Sequence, residues 1–379
     1  MKKQTVARGL SLILALLLLF SGTSLSVSAA PSTSAKSAIL IEAESGRVLY
    51  QSNAFVRMPM ASTTKIMTAI VAIESGDIKR TVTISPDAVG IEGSSIYLYP
   101  DEQLTLEELI YALLLESAND AATAIAIEVA GSVDAFSVLM NQKAETLGLT
   151  ATHFTNPHGL DHEAHYTTAF DLAKITAYAL KNDTFRTVCS TVRKTIPLKG
   201  NEGTRVLVNH NKLLTRYEGA MGVKTGFTKK SGRCLVSAAE RDGLTLIAVT
   251  LSAPDDWKDH AAMLDFGFER YEKVPLAEKG GLVIPLSIVG GNTESVLVTN
   301  LEPASAMLKK DRGEITYRIE APQILYAPLT QGTEVGRVTW LCDGEEIASS
   351  PLVTINTVEY KKAERQGFFA WLASLFNRE

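Results

Sequence analysis

The chain has 379 residues, 46% of them hydrophobic, and a formal charge of −5 at neutral pH, enough for one large domain with a smaller one beside it. A mildly acidic balance without a basic tract argues against nucleic acid as a partner. Three cysteines, Cys189, Cys234 and Cys342, are odd in number and far apart, so neither a disulfide framework nor a thiolate metal site is expected; at least one is free or paired between chains, and buried thiols are the reading for all three.

The first residues read as an export signal. Lys2, Lys3 and Arg8 precede the apolar run Leu10 to Phe20, and small Val27 and Ala29 suit cleavage after Ala29. The run is short for a membrane span. Removing 29 of the 379 residues leaves 350, and the loss of three positive charges and no negative ones moves the charge to −8.

"SAILIEAESGRVLYQ" alternates on both sides of Gly46 and predicts a β-hairpin. "MASTTKIMTA", Met60 to Ala69, predicts a helix that holds Ser62 and Lys65 at i and i+3, on one face. Read alone, this stretch is also an ordinary helix start, with Ser62 as an N-cap and Lys65 turned to water. "TLEELIYALLLESANDAATAIAIEVAG" predicts helices opened by a capping box at Thr105 and Glu108. Ser132 caps a further helix ending near Gly148, and "TTAFDLAKITAYAL" is another. His153, His158, His162 and His165 cluster without metal-ligand spacing, so no metal is expected, and no cofactor either.

After residue 190 the pattern turns to strands: "RVLVN", "AMGVKTGFT", "GRCLVSAAE" and "LTLIAVTLSA", with a helix from about Asp256 to Tyr271. Two strands, a helical middle and at least three late strands predict an α+β domain over residues 30–272, its sheet drawn from both ends of the segment. Residues 273–358 are short β runs broken by Gly, Pro and Asp, which predict a small all-β sandwich. In 359–379, Phe368, Phe369, Trp371, Leu372, Leu375 and Phe376 recur at helical spacing behind Lys361, Lys362 and Arg365; this predicts an amphipathic helix lying at a membrane surface, although docking on its own domain fits the pattern too.

Three short motifs stand in order: Ser62-x-x-Lys65, Ser117-x-Asn119 and Lys224-Thr225-Gly226. Each is weak alone. Together, each on its predicted element, they match the active-site signature of penicillin-binding proteins and serine β-lactamases. Ser62 suits a nucleophile that forms an acyl-enzyme, and Lys65 a general base if burial and a second cation lower its pKa. Lys224 can supply that cation or draw in a substrate carboxylate. Ser117 would relay a proton to the leaving amine, Asn119 would hold the substrate amide and Thr225 would offer a hydroxyl to the carboxylate. Backbone N–H groups of Ser62 and Phe227 would form the oxyanion hole.

The whole chain resembles a low-molecular-mass penicillin-binding protein, a serine-type D-alanyl-D-alanine carboxypeptidase. That family joins an export signal, a β-lactamase-like catalytic domain with an antiparallel sheet flanked by helices, a β-rich C-terminal domain and an amphipathic membrane anchor. "FTNPHGLDHEAHYTTAFDLAKI" and "NHNKLL" resemble family stretches as well. The resemblance puts His158, Gly159 and Leu160 beside the active site; His158 is equally a loop residue bonded to its neighbours. Ala118 stands where the family often has Gly. The resemblance implies peptidoglycan stem peptides as substrate, β-lactams as covalent inhibitors, no nucleic acid, and a place on the outer face of the cytoplasmic membrane or in the cell wall. Its rivals are an endopeptidase of D-alanyl cross-links, a β-lactamase and a wall-binding protein with a dead site. A class A β-lactamase carries a Glu-x-x-Leu-Asn loop between the second and third motifs, and none occurs between Asn119 and Lys224.

Overall fold

The computed structural model describes residues 30–198 and 203–362. Strand β1 (Ser37–Glu42) is buried throughout because both of its faces are covered: Ala38 and Leu40 join one apolar cluster, Ile39 and Ile41 the other. The chain turns at Gly46 and returns as β2 (Val48–Ser52). The buried Glu42 carboxylate holds that turn, accepting from the amides of Glu44 at 2.8 Å and Ser45 at 2.6 Å.

A 3-10 turn, Ala61–Thr64, runs directly into helix α1 (Lys65–Glu74). Short strands β3 (Thr81–Thr83) and β4 (Gln103–Thr105) pair antiparallel and deliver the chain to α2 (Leu106–Leu115), which opens with the expected reciprocal Thr105–Glu108 capping box. Then come α3 (Asn119–Ala130), α4 (Val133–Thr146), capped by Ser132, and α5 (Ala169–Ala179). Helix α6 (Asp183–Ser190), capped by Asn182, and strand β5 (Arg193–Pro197) were not expected from the sequence; β5 pairs with β6 (Thr204–Val208). Strands β7 (Ala220–Thr228), β8 (Gly232–Arg241) and β9 (Leu244–Leu251) follow, then α7 (Asp256–Arg270).

The main sheet runs β2-β1-β9-β8-β7, antiparallel throughout, so early and late strands do share one sheet. Helix α7 covers one face through Met263, Leu264, Phe266 and Phe268. Helix α5 packs on the other face, with α1 behind it at the centre of α2, α3 and α4. Edge strand β7 lies along the 3-10 turn.

An all-β domain continues without a break after α7. Strands β10 (Tyr271–Ala277), β11 (Val283–Val289), β12 (Ser295–Asn300), β13 (Ala304–Lys309), β14 (Ile315–Glu320), β15 (Leu325–Tyr326), β16 (Glu334–Cys342) and β17 (Glu345–Thr354) form a β10-β13 ribbon and a six-stranded sheet, order β14-β16-β17-β12-β11-β15. Val296, Val298, Val338, Trp340 and Leu352 make its core. Lys273 pairs with Glu44 at 2.7 Å and Arg47 lies over the Tyr271 ring, tying it to the first hairpin. The predicted export signal (1–29) and, from residue 363 on, the predicted amphipathic helix lie outside the described residues. Among the described residues no single helix is long and apolar enough to cross a membrane.

Candidate active site

The 3-10 geometry sets the first wall. At three residues per turn, i and i+3 eclipse, so Ser62 and Lys65 stand one above the other. Lys65 Nζ lies 3.0 Å from Ser62 Oγ. It donates to Asn119 Oδ1 at 2.7 Å and to the His158 carbonyl at 2.6 Å. Ser62 is not an N-cap, and Lys65 is fully buried.

The junction of α2 and α3 makes the second wall. Ser117 takes the left-handed conformation, φ 61°, which breaks the helix and leaves its side chain in the cleft without a hydrogen-bond partner among the described residues. Asn119 is pinned at both ends of its amide, because Nδ2 donates to the Glu92 carbonyl at 2.5 Å while Oδ1 accepts from Lys65. The buried Asp120 carboxylate next to it accepts from Ser95 Oγ at 2.6 Å and from the amides of Ile96 and Leu98, fixing residues 92–98 over the site.

Strand β7 makes the third wall. A Cβ on Gly226 would sit 3.0 Å from the Ser62 amide nitrogen and 3.2 Å from that of Thr63, so a side chain here would press the strand away from the turn by a few tenths of an ångström. Behind Lys65, Gly159 holds φ +91°, and a Cβ there would meet the Ala61 carbonyl oxygen at 1.9 Å. This turn aims the His158 carbonyl at Lys65. The His158 ring accepts from the Leu160 amide at 3.2 Å, so the residue serves the lysine through its backbone. His165 accepts from the Thr155 amide at Nδ1, which leaves its Nε2–H to donate to Thr64 Oγ1 at 2.8 Å. His153 bonds the Ala164 carbonyl. Among the described residues no cluster of three or more His, Cys, Asp and Glu side chains is arranged to hold a metal.

Burial, helped by the charge of Lys224, holds Lys65 well below the usual lysine range, against a smaller opposing pull from Asp120. Burial brings Lys224 to about 7. His158 falls to about 3 through burial and the charges of Lys65 and His165, and is neutral at physiological pH. Cys189 and Cys234 are buried free thiols raised to about 12 and about 11, out of reach of thiolate chemistry; Cys342 is buried and free as well. A neutral Lys65 would keep two N–H bonds on its shorter contacts, to Asn119 and His158, and turn its lone pair to the Ser62 hydroxyl. That arrangement suits proton abstraction.

Ser62, Ser117, Thr225, Gly226 and Phe227 line one open cleft of about 360 Å³. A slightly larger hollow of about 390 Å³ between the first hairpin and the β domain is lined by Glu42, Glu44, Arg47 and Lys273, and no residue of the three motifs lines it. Over residues 24–255 the chain matches the D-alanyl-D-alanine carboxypeptidase family, and over 271–360 the C-terminal domain of penicillin-binding protein 5. The chain belongs to the D-alanyl-D-alanine carboxypeptidase family.

Among relatives, this carboxypeptidase family member is 36% identical over 349 residues to the D-alanyl-D-alanine carboxypeptidase DacF of Bacillus subtilis strain 168, covering 89% of this chain and 88% of the relative. It is 33% identical to DacA of Escherichia coli K12, covering 86% and 84%. Penicillin-binding protein 5 of Haemophilus influenzae superposes with a TM-score of 0.71 at 28% identity, over 87% of this chain and 98% of that one. The sequence reading of the carboxypeptidase missed Asp120 and the Glu92 carbonyl. An acidic residue just inside a helix N-terminus reads as ordinary dipole compensation, and a backbone carbonyl has no residue-type signature.

Proposed function

We propose that the protein removes the terminal D-alanine from peptidoglycan pentapeptide stems through an acyl-enzyme on Ser62, leaving tetrapeptides that cannot donate to cross-links. Neutral Lys65 takes the Ser62 proton, and Oγ bonds to the carbonyl carbon of the penultimate D-alanine. The oxyanion that forms is met by the backbone N–H groups of Ser62 and Phe227; one such donor is worth about 10²–10³ in rate. The carbon–nitrogen bond breaks as Ser117 relays a proton from Lys65 to the departing amine, and D-alanine leaves. Water then cleaves the ester and returns the proton to Ser62. Lys224 keeps Lys65 neutral and, with Thr225, borders the end of the cleft nearest the leaving residue. Asn119 holds Lys65 in place and borders the substrate amide. β-Lactams acylate Ser62 because their strained ring offers a similar carbonyl and carboxylate.

The reading rests on one observation above all: a fully buried lysine amine 3.0 Å from a serine hydroxyl, with two carbonyl acceptors on its other side. The basic-then-apolar start of the chain supports export, and the aromatic stripe behind Lys361 and Lys362 supports attachment to the outer face of the cytoplasmic membrane. Mass spectrometry of purified protein with a D-Ala-D-Ala pentapeptide tests the chemistry. The expected result is release of one alanine, lost in Ser62→Ala together with covalent penicillin labelling. Intact pentapeptide beside cleaved cross-linked dimers would make the protein an endopeptidase instead.

A further inference from the structure

The outer face of the six-stranded sheet in the β domain does not alternate as a solvated face should. On β11 the inward positions Ile284, Leu286 and Ile288 pack into the core, yet three of the four outward positions are apolar as well: Val283, Pro285 and Val289. The register carries this face across the neighbouring strands. Leu297 on β12 lies opposite Pro285, and Tyr326 on edge strand β15 lies opposite Val289. Val283, Val289, Leu297 and Tyr326 are each between 43% and 71% exposed. Large apolar side chains set side by side on one face mark a contact surface, unlike singly scattered ones.

We infer that this face rests on a lipid surface, with Tyr326 and Tyr360 at the level of the headgroups; the inference rests on the membrane attachment proposed above. The end of the described chain points to this occupant. Val358 exchanges both backbone hydrogen bonds with Leu329, the Glu359 carbonyl accepts from the Asn292 amide at 2.9 Å, and the Lys361 amide donates to the Gly290 carbonyl at 2.9 Å. The tail is thus stitched to the fold one residue past Val289. Lys362 alone separates it from residues 363–379, where Phe368, Trp371 and Phe376 of the aromatic stripe stand. With no linker between them, a segment lying on the membrane brings this end of the sheet down to the same level. Tyr360 is exposed beside Gly291, an amphipathic ring suited to the interface, and Lys361 and Lys362 suit anionic headgroups. Glu294 and Glu359 are exposed at the same end, so apolar contact rather than net charge has to carry most of the affinity.

The test is partition of the whole protein onto vesicles of phosphatidylglycerol and phosphatidylethanolamine, measured by co-sedimentation. Val289→Ser, Leu297→Ser and Tyr326→Ser combined should weaken binding at least about 10-fold, the scale of lifting three apolar side chains out of an interface, and the loss should persist at high salt. Tyr326→Ser alone should give a smaller loss in the same direction. Tyr317→Ser is the matched control: Tyr317 is 54% exposed but lies on β14, at the opposite edge of the sheet, and its loss should leave binding unchanged. All four positions are at the surface, so Tm and acylation by penicillin should stay at wild-type values. Equal binding by the triple variant and the wild type would overturn the inference while leaving attachment through residues 363–379 in place. Tighter binding by the triple variant would overturn it too, because the face would then be the seat of residues 363–379 themselves. A wild-type dimer without vesicles that the triple variant splits would assign the face to a second copy instead. If the wild type binds no vesicles, the attachment reading falls and the inference falls with it.

Discussion

The two domains bury different kinds of polar group. Up to Arg270 the interior holds Lys65, Lys224, Glu102, Asp120, His165 and His260. From Tyr271 onward, among the described residues, the buried polar side chains are Asn300, Thr339, Ser350 and Thr354, all neutral. Some of the first group brace the fold: Glu102 pairs with Arg205, whose other nitrogens donate to the Ile96 and Tyr97 carbonyls. The two lysines make hydrogen bonds but no ion pair among the described residues. Burying an amine costs stability, and it is tolerated where a lowered pKa does chemistry. The β domain, among its described residues, buries no charged side chain.

The contrast can be broken in three places, from the largest expected effect on turnover to the smallest. Lys65→Met should lower the acylation rate by about 10²–10⁴, the usual weight of a general base, and stopped-flow penicillin binding would measure it. Lys224→Met should act through pH. Removing the neighbouring cation raises the Lys65 pKa, so the acid limb of the acylation profile should move to higher pH. Stability should change as well. Between about 7 and the ordinary lysine value of 10.5 the unfolded chain holds a Lys224 proton that the folded protein lacks, so wild-type stability rises with pH across that window. In Lys224→Met that slope should flatten, with the gain over wild type greatest near pH 7, as urea titrations at several pH values would show. Asn300→Ala should leave kcat unchanged. It removes bonds to the Glu278 and Glu302 carbonyls and to the Leu282 amide, and should cost the β domain about 1–3 kcal/mol, visible as a lower Tm.

What could be read in advance followed from residue type and spacing. The Thr105–Glu108 box, the Ser132 cap and the alternation around Gly46 each carry their own local signal, and the structure has all three. Helix α6 was passed over because eight residues, "DTFRTVCS", with three buried side chains give too short an apolar pattern beside polar neighbours. Strand β5 was passed over because Arg193, Lys194 and Thr195 look like loop until β6 pairs with them. Within the site, the three motifs named the side chains but not their partners. Asn119 was expected to turn to substrate, and its amide is engaged by Lys65 and Glu92. His158 was placed beside the site only by resemblance, with no role derived for it; its carbonyl is what reaches the lysine, and its ring bonds the neighbouring Leu160 amide. Backbone atoms and long-range ion pairs such as Arg233–Asp256 depend on tertiary placement, which no local pattern encodes.

The pairing of β1 with β9 places Ser37 opposite Leu251, and this fixes when the hydrolase can come into being. A chain made N-terminus first carries β1 with that edge empty until the last sheet strand has emerged. Closing so long a loop costs little extra free energy, since the entropy grows only with the logarithm of its length, so the delay is one of order rather than of energy. Domains fold as units during synthesis, and this one must wait for nearly all of itself. Chains interrupted before Ala220 carry the serine and the lysine but lack the strand that completes their cleft. Truncated products of an aborted synthesis thereby lack a complete site.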